Sequence, residues 1–241
     1  MEIQIEWHDR LESTNTYIRD CFFEHNSAKS GLIAAAREQT SGRGRQNRQW
    51  LSAPKTNLCF SLFLETEVPL IETPSLSMAI ALAVTELLGS REIHAAPKWP
   101  NDVLVGTRKI CGILSEHVEQ KGRQGHIIGI GLNVNMTQEQ AAVIDRPATS
   151  ILIESGMTCD PDGILKELLP YMEFWIDRWE GGGFAAIRDT WTSQAGPIGK
   201  LLSVHDGVIR KNGRLVGFGE HGELLIETEA GCETIWSGDV L

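Results

Sequence analysis

The sequence predicts an α+β protein in which helices pack on a β-sheet and a small all-β module follows. Helix-like amphipathic segments and strand-like apolar runs interleave up to about residue 195. From residue 196 onward, short apolar runs alternate with Gly, Asn and Asp turns, which is typical of antiparallel strands. We therefore predict a main domain over 1–195 and a second domain over 196–241. A segment of about 45 residues buries little surface alone, so the second domain should pack against the first.

Three helix starts are marked by capping residues. Ser13-Thr14-Asn15 precedes one apolar stripe, Thr73-Pro74 precedes a longer one, and Asp160-Pro161 precedes a third. The first start has a second interpretation, because hydroxyls and an amide at a helix N-terminus also bind a polar ligand. Composition alone favours the capping role there.

Four apolar runs predict strands, at 31–37, 57–65, 109–114 and 125–135. Gly112 interrupts the third run and indicates close approach of a ligand or of another backbone. Asn133 and Asn135 share a face of the fourth run, which indicates either a polar contact or a turn at the end of the strand. Glu116 and Glu119 are expected to face solvent.

The segment Gly42–Trp50, GRGRQNRQW, has neither a helical nor a strand period. Glycines permit close backbone approach and positive φ, arginines suit carboxylate and phosphate oxygens, and tryptophan offers a flat face to a ring. The residues concerned are Gly42, Gly44, Arg43, Arg45, Arg48 and Trp50. A solvated basic turn is the alternative interpretation.

Composition argues against several classes of function. The net charge of −10 opposes binding to nucleic acid or to anionic membranes. No apolar run approaches the ~18–20 residues of a membrane span, and the first residues are too polar for a signal peptide. Five cysteines, odd in number and far apart, indicate neither a zinc site nor disulfides. We expect a cytoplasmic protein without a resident metal site.

The common catalytic signatures are missing from the sequence. There is no P-loop, no GxSxG elbow and no HExxH motif. The GRGRQN stretch lacks the third glycine of a dinucleotide fingerprint and is not placed in a βαβ unit. Function must therefore be sought in a combination of weaker motifs.

Four separated stretches, taken together, resemble a known family. They are Ser13–Asn15, Gln39 leading into Gly42–Trp50, KWPNDVLVGTRKICGIL at 98–114, and IIGIGLNVN at 127–135. In this order and spacing the chain resembles, over nearly its whole length, the single-function biotin–protein ligases that lack a DNA-binding domain. The resemblance implies a mixed β-sheet with packed helices, of the class II synthetase and biotin ligase kind, and a C-terminal SH3-like β-barrel.

The resemblance also implies a reaction in two steps. The biotin carboxylate attacks the α-phosphate of ATP, with Mg²⁺, to give biotinyl-5′-AMP and pyrophosphate. A lysine of a biotin carboxyl carrier protein then attacks the mixed anhydride. Both steps build negative charge on oxygen, so cationic donors should dominate catalysis.

Catalytic roles follow from the same resemblance. Lys109 would hold the biotin carboxylate and stabilise charge as it shifts. Arg45 and Arg43 would contact carboxyl and phosphate oxygens, and Arg48 would assist with the phosphates. Asp102 would either orient Lys109 or receive the acceptor lysine.

Binding roles are implied for the remaining motif residues. The polar set that would bind the ureido head or line its pocket is Ser13, Thr14, Asn15 and Gln39. Gly112 would let the ligand lie against its strand, Trp50 would pack on the adenine side, and Asn101 and Asn133 would contact nucleotide or metal.

One position departs from the family pattern. The family commonly shows GRGRxGRxW, and Asn47 replaces its last glycine. Because asparagine tolerates left-handed backbone better than other non-glycine residues, we expect a stiffer loop that still works.

Two other functions compete with this interpretation. A lipoate or octanoate ligase or transferase shares a related fold but needs a long apolar tunnel, against which the GRGR loop and the polar Ser-Thr-Asn argue. A non-catalytic biotin-binding or regulatory protein would not need Lys109 and the arginines. Family members are often homodimers, although no residue pattern here identifies an interface.

Overall fold

The structure, a computed structural model, describes residues 2–205 and 208–240, apart from the side chain of Asn47. The first elements are β1 (Gln4–His8), α1 (Thr14–Phe23), β2 (Leu32–Ala36), β3 (Leu58–Leu64), α2 (Thr73–Ser90), β4 (Ala95–Lys98), β5 (Asp102–Val105), β6 (Arg108–Gln120) and β7 (Arg123–Leu132). They are followed by α3 (Gln138–Ala142), α4 (Ile151–Ser155), α5 (Pro161–Glu180), α6 (Gly183–Gln194), β8 (Leu201–His205), β9 (Arg210–Phe218), β10 (Leu224–Thr228), β11 (Gly231–Ile235) and β12 (Asp239–Val240).

The main sheet has seven strands in the order β1-β2-β3-β7-β6-β5-β4. Strands β1 and β2 run parallel, and every other neighbouring pair is antiparallel, which makes the sheet mixed as predicted. The long hairpin of β6 and β7 lies near its centre and stays in register from Cys111 opposite Leu132 to Gln120 opposite Arg123. This hairpin carries the end of the motif stretch 98–114 and most of the stretch 127–135.

Helices cover both faces of this sheet. On one face α2 packs against α5 and β6, with Trp175 and Trp179 of α5 buried in the core. On the other face α1 packs on β2, β3 and β7. The cap predicted at Thr73 falls one residue earlier, at Glu72, because a 3₁₀ turn at Leu70–Glu72 runs directly into α2.

The segment Leu70–Ser90 is long and apolar enough to cross a membrane by length and composition, contrary to our expectation that no run would qualify. Its mean hydropathy reaches 1.3, but 61% of the qualifying window is buried inside the protein. Such burial is what a core helix shows, so the match is weak support for a membrane span.

The C-terminal strands form a second, antiparallel sheet in the order β11-β10-β9-β8-β12. It contacts the rest of the chain through polar and aromatic groups. Trp99 donates its indole N–H to the carbonyl of Gly222 at 3.0 Å, and His221 Nδ1 lies 2.5 Å from Glu72 Oε1. The last strand, β12, reaches the open end of the β6–β7 hairpin, where the site lies.

Candidate active site

A cavity of about 760 Å³ opens between the start of α1, the loop Gly42–Trp50, the strands β4–β7 and β12. Fourteen of the fifteen predicted site residues line it: Ser13, Thr14, Asn15, Gln39, Arg43, Gly44, Arg45, Arg48, Trp50, Asn101, Asp102, Lys109, Gly112 and Asn133. The fifteenth, Gly42, lies behind the wall. A Cβ there would come within 2.7 Å of the Trp50 carbonyl oxygen, so Gly42 serves close approach of two backbone segments.

Glycines lower the floor of the cavity. Gly112 and Gly131 lie opposite each other on β6 and β7. A Cβ on Gly131 would overlap the Trp50 ring, and one on Gly112 would come within 2.8 Å of Lys109 Nζ and 3.0 Å of Trp50. Gly112 therefore makes room for two side chains, rather than for a second backbone as one of our alternatives had it.

The polar end of the cavity is a buried hydrogen-bond network. Ser61, which is fully buried on β3, donates to Thr14 Oγ1 at 2.6 Å, and Asn15 Oδ1 lies 2.5 Å from the same hydroxyl. Asn15 Nδ2 donates to Glu116 at 2.7 Å. Because each buried polar group has a partner, the network holds its side chains in fixed positions.

The capping interpretation of the first motif is only half right. Ser13 occupies the N-cap position with extended backbone, but its side chain makes no capping hydrogen bond. Gln39 Oε1 instead accepts from the backbone N–H of Thr14 at 2.8 Å and from its hydroxyl at 3.2 Å. The long side chain of Gln39 replaces the cap, which leaves the Ser13 hydroxyl at the cavity wall.

Lys109 lies in the middle of the cavity, between the polar end and the arginine loop. Its Nζ is 2.5 Å from Asp102 Oδ1 and 5.6 Å from the centre of the Trp50 ring. The ion pair supports the first of the two roles that we considered for Asp102, which is to orient Lys109.

The arginine loop is held over the cavity by β12. Arg48 pairs with Asp239, while Arg45 donates to the Gly238 carbonyl at 3.1 Å and to Asn101 Oδ1 at 3.2 Å. Burial lowers the pKa of Arg45, and the hydrogen bond to Asp239 raises the pKa of Arg48. Burial alone would raise the pKa of Asp239, but the neighbouring arginines hold it below its usual range.

The loop backbone is a small hairpin closed by a 3₁₀ turn at Arg45–Asn47. Trp50 N–H donates to the Gly42 carbonyl at 2.9 Å, and Gly44 N–H donates to the Arg48 carbonyl at 2.7 Å. The left-handed residue in this turn is Gln46, with φ 55°. The positive φ that we expected Asn47 to accommodate therefore falls one residue earlier, and the Asn47 side chain lies outside the described part of the structure.

Glu116 does not face solvent as we expected; Glu119 does. The Glu116 side chain is 19% exposed, because it accepts from Asn15, from Arg19 at 2.9 Å and from Arg43 at 2.5 Å. Strand alternation contained the signal: Gly112, Leu114 and Glu116 share one face of β6, which is the face of the cavity. Glu116 links the polar end to the arginine loop.

The side chain of Asn133 forms hydrogen bonds with other residues of the protein. Its amide donates to the Thr149 carbonyl at 3.0 Å, and its oxygen accepts from Asn57 at 3.3 Å. Asn135 makes two hydrogen bonds with the backbone of Cys159, at 2.7 and 2.9 Å. Strand β7 ends at Leu132, so these two asparagines stabilise the turn that follows the strand.

Sequence reasoning missed four charged residues that line the cavity: Lys98, Asp145, Arg146 and Asp239. Lys98 lies in the KWPND stretch, where we had read no role for it. Arg146 and Asp239 lie in segments without a motif, so no local signal identified them.

The described residues contain no group of three or more His, Cys, Asp or Glu side chains able to hold a metal ion. Of the three aspartates that line the cavity, Asp102 and Asp239 are engaged by cations and Asp145 is exposed. Mg²⁺ at nucleotide sites is bound by one or two carboxylates together with substrate phosphates. These residues therefore fit an ion that arrives with the nucleotide.

The chain is similar to known proteins over most of its length. Residues 7–133 match the model of the biotin/lipoate A/B protein ligase family. The bifunctional ligase/repressor BirA of Bacillus subtilis is 32% identical over 97% of this chain and 72% of its own. The biotin–[acetyl-CoA-carboxylase] ligase of Paracoccus denitrificans is 33% identical over 85% and 88%.

A solved structure agrees with these sequence matches. The biotin protein ligase of Aquifex aeolicus in complex with biotin and ATP superposes with a TM-score of 0.80, at 29% identity, over 99% of this chain and 97% of that one. The fold predicted from the resemblance, a mixed sheet with packed helices followed by a small β-module, is confirmed by this likeness. The chain therefore belongs to the biotin/lipoate A/B protein ligase family, among its biotin–protein ligases.

Proposed function

We propose that the cavity holds biotin and ATP side by side and joins them as biotinyl-5′-AMP, before biotin is passed to a lysine of a carrier protein. ATP-dependent biotin ligation is the activity of this chain's relatives, and the Aquifex neighbour contains both substrates. One observation carries the assignment of the site. A single cavity brings together a buried polar network, a lysine paired with an aspartate, and a loop of three arginines.

The polar network is the proposed seat of the biotin head. A ureido group presents two N–H donors and one carbonyl acceptor, and it carries no charge. Ser13, Thr14, Asn15 and Gln39 offer hydroxyl and amide groups that both donate and accept. Trp50 supplies an apolar wall next to Lys109, and its packing on the adenine side, which the resemblance implies, stays part of the proposal. The ligand would therefore lie over the floor formed by Gly112 and Gly131.

Lys109 is the proposed catalytic cation. An ammonium beside the biotin carboxylate holds its oxygen at the α-phosphorus and offsets charge as the bond forms. Asp102 keeps the ammonium in place through the 2.5 Å ion pair. Arg43, Arg45 and Arg48 supply planar donors to carboxyl and phosphate oxygens, with Arg45 oriented by Asn101. We propose that Asn133 acts indirectly: its side chain stabilises the turn that follows β7 and does not contact the ligand.

Mg²⁺ would neutralise part of the charge on the triphosphate when it enters bound to ATP. The chain's own residues bind the two substrates, exclude water from the polar end, and place the reacting oxygen.

We propose as the acceptor the biotin carboxyl carrier protein of a biotin-dependent carboxylase, a choice supported by the names of the relatives. We also propose that 1–195 is the catalytic domain and 196–241 the SH3-like domain. No nucleic-acid binding is proposed, because the net charge of −10 opposes it. Cytoplasmic location and a homodimer complete the proposal, and cell fractionation and light scattering test them.

ATP–pyrophosphate exchange tests the activity directly, with biotin and lipoate compared side by side. Exchange that depends on biotin is the expected result. Exchange with lipoate alone would move the protein to the lipoate ligases of the same family. Exchange with neither substrate, by a protein that still binds biotin, would indicate a non-catalytic binding protein.

A further inference from the structure

Lys98 is a cation in the cavity that the roles above leave unused. It is the last residue of β4 and lies opposite Asp102 in the β4–β5 pairing. Its side chain is half-buried and lines the cavity. Among the residues that the structure describes, it makes neither an ion pair nor a side-chain hydrogen bond, whereas Lys109 nearby is paired.

The local charge explains why Lys98 has no partner. The nearest carboxylate, Asp102, lies between two lysines and is already bound to Lys109 at 2.5 Å. Burial lowers the pKa of Lys98; Lys109 and Arg146 act in the same direction, whereas the carboxylates of Asp102 and Asp239 act in the opposite one. A partly buried ammonium in such surroundings is stabilised by an anionic ligand.

Arg146 is a second cation that lines the same cavity. It lies between α3 and α4 and is exposed. Its field reaches both Lys98 and Asp239. Within the described part of the chain no ion pair is formed by Arg146 either. Lys98 and Arg146 are therefore two cations of the cavity lining that, unlike Arg45 and Arg48, form no ion pair with Asp239 among the described residues, and Asp145 lines the cavity next to Arg146.

We propose that Lys98 and Arg146 form the subsite for the pyrophosphate that leaves ATP during adenylation. This inference rests on the proposed function. A biotin carboxylate oxygen forms a bond to the α-phosphorus, and the bond from that phosphorus to the bridging oxygen breaks. The electron pair departs with pyrophosphate, and no proton is transferred. The two cations offset the charge that develops on the leaving group.

The two lysines near Asp102 are assigned different roles in this proposal. Lys109, held by Asp102 and close to Trp50, faces the acyl end of the reaction. Lys98 makes no ion pair among the described residues, although Asp102 and Asp239 are near enough to act on it, and it takes the group with the larger charge. Pyrophosphate takes part in adenylation but not in transfer from the finished adenylate, and this difference makes the assignment testable.

The test uses Lys98→Met in the full-length protein, with Lys166→Met on the exposed surface of α5 as the matched control. Two reactions are followed: exchange at varied pyrophosphate with saturating biotin and ATP, and transfer from preformed biotinyl-5′-AMP to a carrier protein. We expect the KM for pyrophosphate to rise ~10- to 100-fold in Lys98→Met only, because a charge-assisted contact is lost. The rate of biotin transfer in Lys98→Met should stay within about twofold of the wild-type rate. Lys98→Arg should restore part of the exchange activity.

The remaining outcomes separate the possibilities. An unchanged KM for pyrophosphate overturns the inference, and so does an equal loss in both reactions, which would assign Lys98 to the adenylate. Intact transfer also shows that the variant is folded. If the wild-type protein shows no exchange at all, the proposed function fails, and not merely the role of Lys98.

Discussion

The two ends of the cavity are built in opposite ways. At the polar end, Thr14, Asn15 and Ser61 are buried, sit on regular elements, and are already hydrogen-bonded to one another. At the other end, Arg43 and Arg48 are 46% and 41% exposed and are held by carboxylates, Glu116 and Asp239. One end is fixed before any ligand arrives, and the other must exchange partners when an anion binds.

The difference follows from what each end is proposed to recognise. A neutral polar group is weakly attracted, so affinity and selectivity depend on donors and acceptors fixed in advance. Unpaired cations crowded together repel each other, and nearby carboxylates stabilise them until phosphate replaces those carboxylates. Lys109 lies between the two ends, and its carboxylate, Asp102, comes from the neighbouring strand of the same sheet.

The largest effect on activity is expected from removal of the Lys109 ammonium. Lys109→Ala should lower adenylation ~10²- to 10³-fold, because a preorganised cation at the reacting oxygens is removed. Exchange kinetics and a thermal melt of Lys109→Ala and Lys166→Ala measure this. Turnover near that of the wild-type protein would remove Lys109 from the mechanism.

The next prediction tests the polar end of the cavity. Ser61→Ala removes a fully buried hydroxyl that bonds both Thr14 and Asn15. Leaving those partners unsatisfied should cost ~1–3 kcal/mol and raise the KM for biotin about tenfold, with little change for ATP. Denaturant unfolding and steady-state kinetics report the two quantities. A change in KM for ATP alone would show that the network does not serve the biotin end.

A smaller effect is expected at the exchangeable end. Asp239→Asn removes the carboxylate that ATP has to displace from Arg48, so the KM for ATP should fall ~2- to 5-fold, the range of a partly exposed ion pair. The KM for biotin should not move. A rise in the KM for ATP would instead mean that Asp239 positions the arginines, and Glu233→Gln, far from the cavity, serves as the control.

The last prediction concerns loop motion. Arg43 and Arg48 are exposed and are held by ion pairs that water can replace, so trypsin should cleave after Arg43, Arg45 or Arg48 in the free protein. Biotin with ATP should slow this cleavage several-fold, because the ligand orders the loop. Limited proteolysis with gel readout is sufficient. Equal cleavage rates with and without ligand would argue against closure.

The sequence by itself determined the fold class, most elements and fourteen of the residues that line the site. Start signals at Asp160 and Ser13 and the apolar runs of the main strands are local, and local propensity and periodicity are what a sequence displays. The order of four weak motifs identified the family. Gly112 was marked as a site of close approach because a glycine inside a strand is unusual.

Only the tertiary structure decided which groups are partners. Glu116 and Arg43 are 73 positions apart, and Arg48 and Asp239 are 191 apart, so no local pattern links them. The sequence assigned Glu116 to solvent and gave Asp239 no role, because the sign and strength of a charge interaction depend on distance and burial. Lys98 shows the same limit: its free ammonium is visible only once Lys109 is seen bound to Asp102.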